Sequence, residues 1–218
     1  MKLDSTLLSL KFKHYSFKHG MDTHDYDEQR LIVGVYVDDL IITKGDMKVL
    51  RRFKREMSKN FKISDLGVLS YYLGIEVQQS TTGITIYLSV YAKKLLDTTG
   101  LADSNPKRTP MESQLQLKKA STTTVVNATN YCSIVGSLRY LVNTHPHLTY
   151  SVGYVSRFIE ASREEHLGAF KHILRYVAVT RGWGVRYCAR RGKEKLELVG
   201  YSDSDMAVML MIVRSPAG

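Results

Sequence analysis

Two adjacent carboxylates, Asp38 and Asp39, stand between two apolar runs in the sequence Tyr36-Val37-Asp38-Asp39. An unpaired charge between buried strands shifts its pKa or acquires a cation, so the pair predicts a metal ion or an arginine nearby. Hard oxygen ligands at a tight turn suit Mg²⁺, which binds one or two carboxylates together with substrate phosphates. Phosphoryl and nucleotidyl transfer use such ions in pairs. The alternative is a plain hairpin in which Asp supplies the turn.

The apolar runs that must position this pair predict two buried strands, over residues 31–37 and 40–43, that meet at the acidic turn. Residues 1–29 are polar and without a clear period, and they predict an opening short helix followed by a loop.

A basic amphipathic helix is predicted directly after the hairpin. Asp46 is its candidate cap, and Leu50, Phe53, Met57 and Phe61 recur at helical spacing. The opposite face carries Lys48, Arg51, Arg52, Lys54, Arg55 and Lys59. Two interpretations stay open: a solvated face, which is what charge runs usually are, or a surface that contacts nucleic-acid phosphates.

The middle of the chain predicts a second hairpin, from residues 71–78 and 84–88 around a turn that contains Gly83, and then a short helix over residues 89–96. Residues 102–128 hold Pro106 and Pro110 among polar residues, which predicts a linker and a domain boundary.

Three helical segments that pack together are predicted beyond the linker, with an interruption at His145-Pro146. The third segment begins with Ser162 and Glu165 at capping-box spacing. Strands are then predicted over residues 183–187 and 196–201. Trp183 is expected in the core, and His145 and His147 are expected to be loop residues rather than metal ligands.

The charge balance favours a polyanionic partner, because 31 Lys and Arg against 21 Asp and Glu give a formal net charge of +10. Solubility alone would also account for it. Cys132 and Cys188 stand far apart, so neither a zinc module nor a disulfide framework is indicated. No signal peptide or membrane-spanning segment is recognisable, and we expect an intracellular protein with no membrane partner.

Ordered blocks along the chain resemble the reverse transcriptase and ribonuclease H region of copia-type retrotransposon Pol polyproteins, and we expect a plant origin. Residues 31–43 resemble the active-site hairpin of reverse transcriptases. The other blocks are Phe61-Lys62-Ile63-Ser64-Asp65-Leu66-Gly67, Tyr72-Leu73-Gly74-Ile75-Glu76, Thr109-Pro110-Met111-Glu112 and Val135-Gly136-Ser137-Leu138-Arg139-Tyr140-Leu141.

This resemblance implies an α+β fold: the C-terminal part of a right-hand polymerase palm and thumb, a helical connection, and the start of a ribonuclease H-like domain. The implied divisions are a partial palm over residues 1–80, a thumb-like segment over 81–112, a linker over 113–128, the connection over 129–181, and the ribonuclease H start over 182–218.

By motif position, the resemblance also implies roles for individual residues. Asp38 and Asp39 would be catalytic metal ligands for Mg²⁺, with Tyr36 beside the primer terminus. Asp203, in Gly200-Tyr201-Ser202-Asp203, would be a catalytic metal ligand of ribonuclease H. Lys93 and Lys94 would lie where the thumb follows the duplex, although they could equally be ordinary surface lysines. The implied partners are an RNA/DNA template-primer duplex and other element-encoded proteins.

The chain departs from the family pattern at both ends. The palm strand that supplies a further carboxylate is expected upstream of anything present here, and Asp4 is no convincing substitute, so we expect a remnant without polymerase activity of its own. Residues 208–218 are expected to be a frameshifted tail, and their apolar, β-prone character favours aggregation. The alternatives are a nucleic-acid-binding module without catalysis and a non-catalytic interaction protein derived from the element.

Overall fold

Two antiparallel sheets and a layer of helices make up the computed structural model of the chain. The structure describes residues 2–14, 21–26, 29–43, 46–119 and 122–189. Within them, helices and strands are mixed, as predicted. None of the helices in these ranges is long and apolar enough to cross a membrane.

The first sheet has the strand order β1-β2-β3-β4, and helices α1 and α2 accompany it. Its elements are α1 (Lys2–Ser9), β1 (Lys13–His14), β2 (Met21–Tyr26), β3 (Gln29–Tyr36), β4 (Asp39–Ile42) and α2 (Met47–Asn60). Alternate residues of β3, Leu31 and Val33, are fully buried against Phe53 and Met57 of α2. The predicted basic helix therefore packs through the apolar stripe that its sequence indicated.

The prediction for residues 1–29 was correct for the short helix but wrong for the loop, because β2 lies there. The residues Met21 to Tyr26 show no apolar alternation, and the strand instead depends on its pairing with β3, in which Asp22 stands opposite Val33. Asp22 is buried, and its carboxylate lies 2.5 Å from Nδ1 of His14 on β1. A polar pair thus occupies a position where the pattern gave no sign of a strand.

The second sheet has the order β5-β6-β7-β8. Its strands are β5 (Tyr71–Tyr72), β6 (Ile75–Ser80), β7 (Gly83–Tyr87) and β8 (Gly184–Cys188). The second predicted hairpin is confirmed as β6 and β7. Residues 71–78 were predicted as one strand, but Leu73 and Gly74, both at positive φ, form a two-residue turn that divides it.

The helical layer consists of α3 (Ser89–Thr98), α4 (Ala128–Leu141), α5 (Thr149–Ser156) and α6 (Glu164–Thr180). Leu96, Leu138, Val155 and Ile173, one from each helix, belong to a single buried cluster. The predicted packing of the last three helices is therefore confirmed, and α3 joins them.

The predicted capping box of α6 is wrong by one position. Arg163 is the N-cap, and its backbone N–H donates to Nδ1 of His166 at 3.0 Å. Ser162 is buried and stands one residue before the N-cap, so it does not cap the helix. The histidine nitrogen has taken the place that the sequence pattern assigned to a glutamate.

Among the described residues of 113–127, no helix or strand precedes α4. This segment nevertheless lies against the helices. The Tyr154 hydroxyl donates to the Leu115 carbonyl at 3.2 Å and accepts from the Leu117 N–H at 3.1 Å, and Arg163 donates to the Thr123 carbonyl at 2.7 Å. The division of the chain into domains stays a prediction.

Several predictions fall outside the described residues. They are the strand over residues 196–201, the carboxylate of Asp203, and the proposed frameshifted tail over 208–218.

Candidate functional site

The acidic pair lies at the tip of the β3–β4 hairpin. The last paired residues are Tyr36 and Asp39, so Val37 and Asp38 form a two-residue turn. Val37 has φ +51°, a left-handed conformation that β-branched residues rarely adopt. The apolar residues on both strands fix the register, with Val35 opposite Leu40. The hairpin predicted from the sequence is therefore confirmed.

The carboxylates of Asp38 and Asp39 are exposed, which corrects the premise that they lie between buried strands. Tyr36 is 52% exposed and Val37 78% exposed, because the fully buried residues of β3 stand at the other end of the strand. Water can solvate both carboxylates, so neither needs a cation to offset a cost of burial. Their exposure instead leaves them accessible to an ion or substrate from solution.

The hairpin supplies the type of ligand that Mg²⁺ prefers but too few ligands for a two-metal centre. Asp38 and Asp39 supply the hard oxygen donors that Mg²⁺ prefers. A two-metal centre needs at least one further carboxylate, and the described ranges contain no cluster of three or more His, Cys, Asp or Glu side chains that could hold a metal. No catalytic step through a metal follows from the described residues alone.

Tyr72 of the second sheet packs beside the hairpin. Its ring meets that of Tyr36 edge to face, with centroids 6.5 Å apart. Burial, followed by the charge of Asp39 and then by Tyr36, raises the pKa of the Tyr72 hydroxyl, which therefore stays protonated. The adjoining turn is held from the helical layer, since the Tyr140 hydroxyl donates to the Leu73 carbonyl.

The basic face of α2 is partly neutralised within the chain. Asp46 caps the helix as predicted, accepting from the Lys48 N–H at 2.8 Å. Lys54 pairs with Asp65 at 2.6 Å, and Lys59 pairs with Glu56 at 2.8 Å. These lysines are the first cause of the lowered pKa values of both carboxyl groups.

Four predicted cations of α2, namely Lys48, Arg51, Arg52 and Arg55, are exposed. The three arginines follow Lys48 by three, four and seven residues, which places all four side chains on one side of the helix. Lys93 and Lys94 are likewise exposed, on the side of α3 away from the buried residues Ala92 and Leu96.

Sequence reasoning misplaced Trp183 and gave no indication that His145 is buried. Trp183, expected in the core, is 56% exposed between Gly182 and Gly184. His145 is a loop residue as predicted, but it is fully buried, with Nδ1 2.9 Å from the Thr144 hydroxyl and Nε2 3.0 Å from the Thr180 carbonyl. The two flanking glycines were the only signal in the sequence that Trp183 lies in an irregular segment.

Comparisons with known proteins agree with the hairpin. A family model described as reverse transcriptase (RNA-dependent DNA polymerase) matches residues 1–113. The chain is 39% identical to the Retrovirus-related Pol polyprotein from transposon RE1 of Arabidopsis thaliana, over 79% of the chain and 12% of that protein. It is 35% identical to the Pol polyprotein from transposon TNT 1-94 of Nicotiana tabacum, over 95% of the chain and 16% of that protein.

The putative transposon Ty5-1 protein of Saccharomyces cerevisiae is 29% identical over 99% of the chain and 70% of its own length. The chain spans less than a fifth of the length of each of the two plant polyproteins. No solved structure matches it.

Proposed function

The chain belongs to the reverse transcriptase (RNA-dependent DNA polymerase) family of copia-type retrotransposon Pol polyproteins, and we propose that it carries the active-site hairpin of such a polymerase. In this proposal the chain does not complete nucleotidyl transfer by itself. The observation that carries the proposal is the exposed Tyr36-Val37-Asp38-Asp39 turn, whose two carboxylates have no third acidic partner among the described residues.

In this proposal Asp38 and Asp39 are metal-binding carboxylates, and Tyr36 lies beside the primer terminus. The first sheet with α1 and α2 corresponds to part of a palm, α3 to a thumb-like segment, and α4–α6 to a connection. Asp203 would belong to the start of a ribonuclease H domain. The pairing of β8 with β7 means that the proposed start at residue 182 contributes a strand to the second sheet.

Metal binding without turnover tests the hairpin directly. Mn²⁺, a paramagnetic substitute for Mg²⁺, should bind the full chain weakly, and Asp38→Asn should abolish that binding because one of the two negatively charged carboxylates becomes a neutral amide. Asp103→Asn, which removes another exposed carboxylate, is the matched control and should leave it unchanged. Equal Mn²⁺ binding by wild type and Asp38→Asn would refute the assignment of the ligands.

Primer extension tests the absence of turnover. The wild-type chain, supplied with an RNA template, a DNA primer, deoxynucleotides and Mg²⁺, should give no extended product. Extension that Asp38→Asn removes would establish a complete enzyme and contradict the proposal.

A second candidate function is nucleic-acid binding through α2, favoured by the four exposed cations on one side of that helix. Each phosphate contact contributes about 0.9 to the slope of log affinity against log salt concentration. Arg51→Gln with Arg55→Gln should therefore reduce this slope for an RNA–DNA hybrid by about 2. Lys59→Gln, which removes a cation already paired with Glu56, should change it little.

Hybrid binding without a salt slope, or equal slopes for wild type and the double variant, would exclude α2 as the binding surface. Absence of both hybrid binding and extension would favour the remaining candidate, a non-catalytic interaction protein.

A further inference from the structure

Trp183 lies at the junction between the end of α6 and the start of β8. Its backbone N–H donates to the Thr180 carbonyl at 2.8 Å, which fixes the residue to the last turn of the helix. Gly184 follows because a Cβ there would lie 2.4 Å from the Ile86 carbonyl oxygen. The backbone is therefore held on both sides of a large side chain that is more than half exposed.

The imidazole of His147 packs beside the Trp183 ring, with their centroids 5.5 Å apart. The same imidazole meets Tyr176 edge to face, with centroids 5.6 Å apart. Burial, followed by the nearby His145, lowers the pKa of His147, which keeps this imidazole uncharged at neutral pH. An ordered aromatic side chain loses little conformational freedom when a ligand covers its open surface.

A second pair of rings continues along α5. Tyr150, 74% exposed, stacks parallel to Tyr154 with centroids 6.2 Å apart and planes at 7°. The guanidinium of Arg157 lies 5.7 Å from the centre of the Tyr154 ring. His147 precedes Tyr150 by three residues, a spacing that places the two side chains on one side of the helical turn.

The surrounding chain favours an anionic ligand. Residues 113–159 and 166–189, which include all of α4 and α5 and most of α6, contain no Asp or Glu. The same segments supply exposed cations, of which Arg181 stands two residues before Trp183 and Arg157 lies beside Tyr154. Lys118 and Lys119 are also exposed, but they lie near the first turn of α6, where the Lys118 carbonyl is 3.2 Å from Nε2 of His166. The only acidic residues of these three helices, Glu164 and Glu165, lie in the first turn of α6, at the opposite end of that helix from Trp183.

We propose that Trp183, His147 and Tyr150 form a stacking surface for unpaired bases of single-stranded nucleic acid, with Arg181 contacting its phosphates. Exposed aromatic rings within a positively charged surface bind single strands with little sequence preference, since every base has a π-face. Bases in a duplex are already stacked on one another and cannot cover these rings. The surface is distinct from the acidic hairpin and from α2, so the inference goes beyond the proposed function.

Trp183 is the only tryptophan in the chain, so its fluorescence reports this surface alone. Titration of the full chain with a twelve-nucleotide oligothymidylate should quench the emission saturably. Anisotropy of a labelled oligothymidylate should show that Trp183→Ala weakens binding about tenfold, the effect of losing one stacked base. Trp183→Phe should weaken it less. Val179→Ala, which shortens another exposed apolar residue near the end of α6, should bind like wild type.

Three results would overturn the inference: no quenching at saturation, equal affinity of Trp183→Ala and wild type when both give the same thermal unfolding curve, or equal quenching by a blunt duplex. Lys13→Gln, which removes an exposed cation on β1, outside both surfaces, should leave the quenching unchanged. Quenching reports Trp183, whereas the salt slope of hybrid binding reports α2, so either proposal can fail without the other.

Discussion

The rings of Tyr36 and Tyr72 meet edge to face, with 6.5 Å between their centroids and 80° between their planes. Tyr36 is the last paired residue of β3, directly before the acidic turn, and Tyr72 ends β5 of the other sheet. The contact therefore joins the acidic hairpin to the second sheet. The Tyr140 hydroxyl binds the next carbonyl, that of Leu73, so α4 supports the same junction.

A double-mutant cycle should detect this contact. Edge-to-face pairs contribute about 0.5–1.5 kcal/mol beyond burial, and we expect the lower end because Tyr36 is half exposed. Unfolding of Tyr36→Ala, Tyr72→Ala and the double variant in urea should give a coupling near 0.5 kcal/mol. The parallel cycle with Tyr71→Ala, on the other side of β5, should give none; coupling of equal size there would disprove a specific ring contact.

The turn residue Val37 should be replaceable with a gain in stability. A β-branched residue at φ +51° is strained, whereas asparagine adopts this region readily, and the exposed valine side chain contributes little burial. Val37→Asn should raise the free energy of unfolding by about 1 kcal/mol. Val68→Asn, at an exposed valine without positive φ, is the control. A similar gain from both substitutions would attribute the effect to loss of exposed valine instead of backbone strain.

The elements that the sequence predicted well are those whose own residues carry the signal. The β3–β4 hairpin has apolar runs on both sides of the turn, and α2 has Phe53 and Met57 at helical spacing below a charged face. Strand β2 could not be predicted, because its polar residues depend on pairing with β3. The turn at Leu73-Gly74 was hidden within an apolar run that reads as one strand.

The position of the β3–β4 hairpin was predicted, but the environment of its side chains was not. The order of Tyr36, Asp38 and Asp39 marked the hairpin, yet their exposure depends on which end of β3 packs on α2. Burial of His145 was equally invisible, since it depends on the Thr180 carbonyl, 35 residues away. Exposure and burial at these positions follow from tertiary packing, which local patterns do not encode.

Tyr131 should cause the free energy of unfolding to decrease at alkaline pH. Burial raises the pKa of its hydroxyl to about 12, and this hydroxyl donates to the Val155 carbonyl at 2.9 Å. The folded state keeps the proton more tightly, so the contribution is complete below pH 10 and is lost as the pH rises from about 10 to 12.

Tyr131→Phe should therefore be less stable by about 1 kcal/mol at pH 7, because the hydrogen bond is lost, and should show a shallower alkaline decline in urea unfolding. Tyr187→Phe, at an exposed hydroxyl, should follow wild type. An alkaline decline as steep in Tyr131→Phe as in wild type would assign the decline to other tyrosines, such as Tyr72 and Tyr140, whose pKa values are also raised.

His145 should cause the free energy of unfolding to decrease at acidic pH. Burial lowers the pKa of this imidazole, against the smaller opposing effects of its backbone hydrogen bonds. Nε2 faces the Thr180 carbonyl and must donate, so the neutral ring accepts from the Thr144 hydroxyl at Nδ1. Protonation would remove that acceptor inside the core. Its contribution is therefore complete above the unfolded-state pKa of about 6.5 and declines as the pH falls below it.

The corresponding variant is His145→Gln, which can still donate to the Thr180 carbonyl but does not titrate. We expect it to be less stable than wild type by about 1–3 kcal/mol at pH 7.5, because packing and one hydrogen bond are disturbed, and to lose less stability between pH 7 and pH 5. Urea unfolding at a series of pH values measures both effects. His147→Gln, at a more exposed imidazole, should retain most of the wild-type decline. If His145→Gln declined as steeply as wild type, the acid sensitivity would belong to a different group.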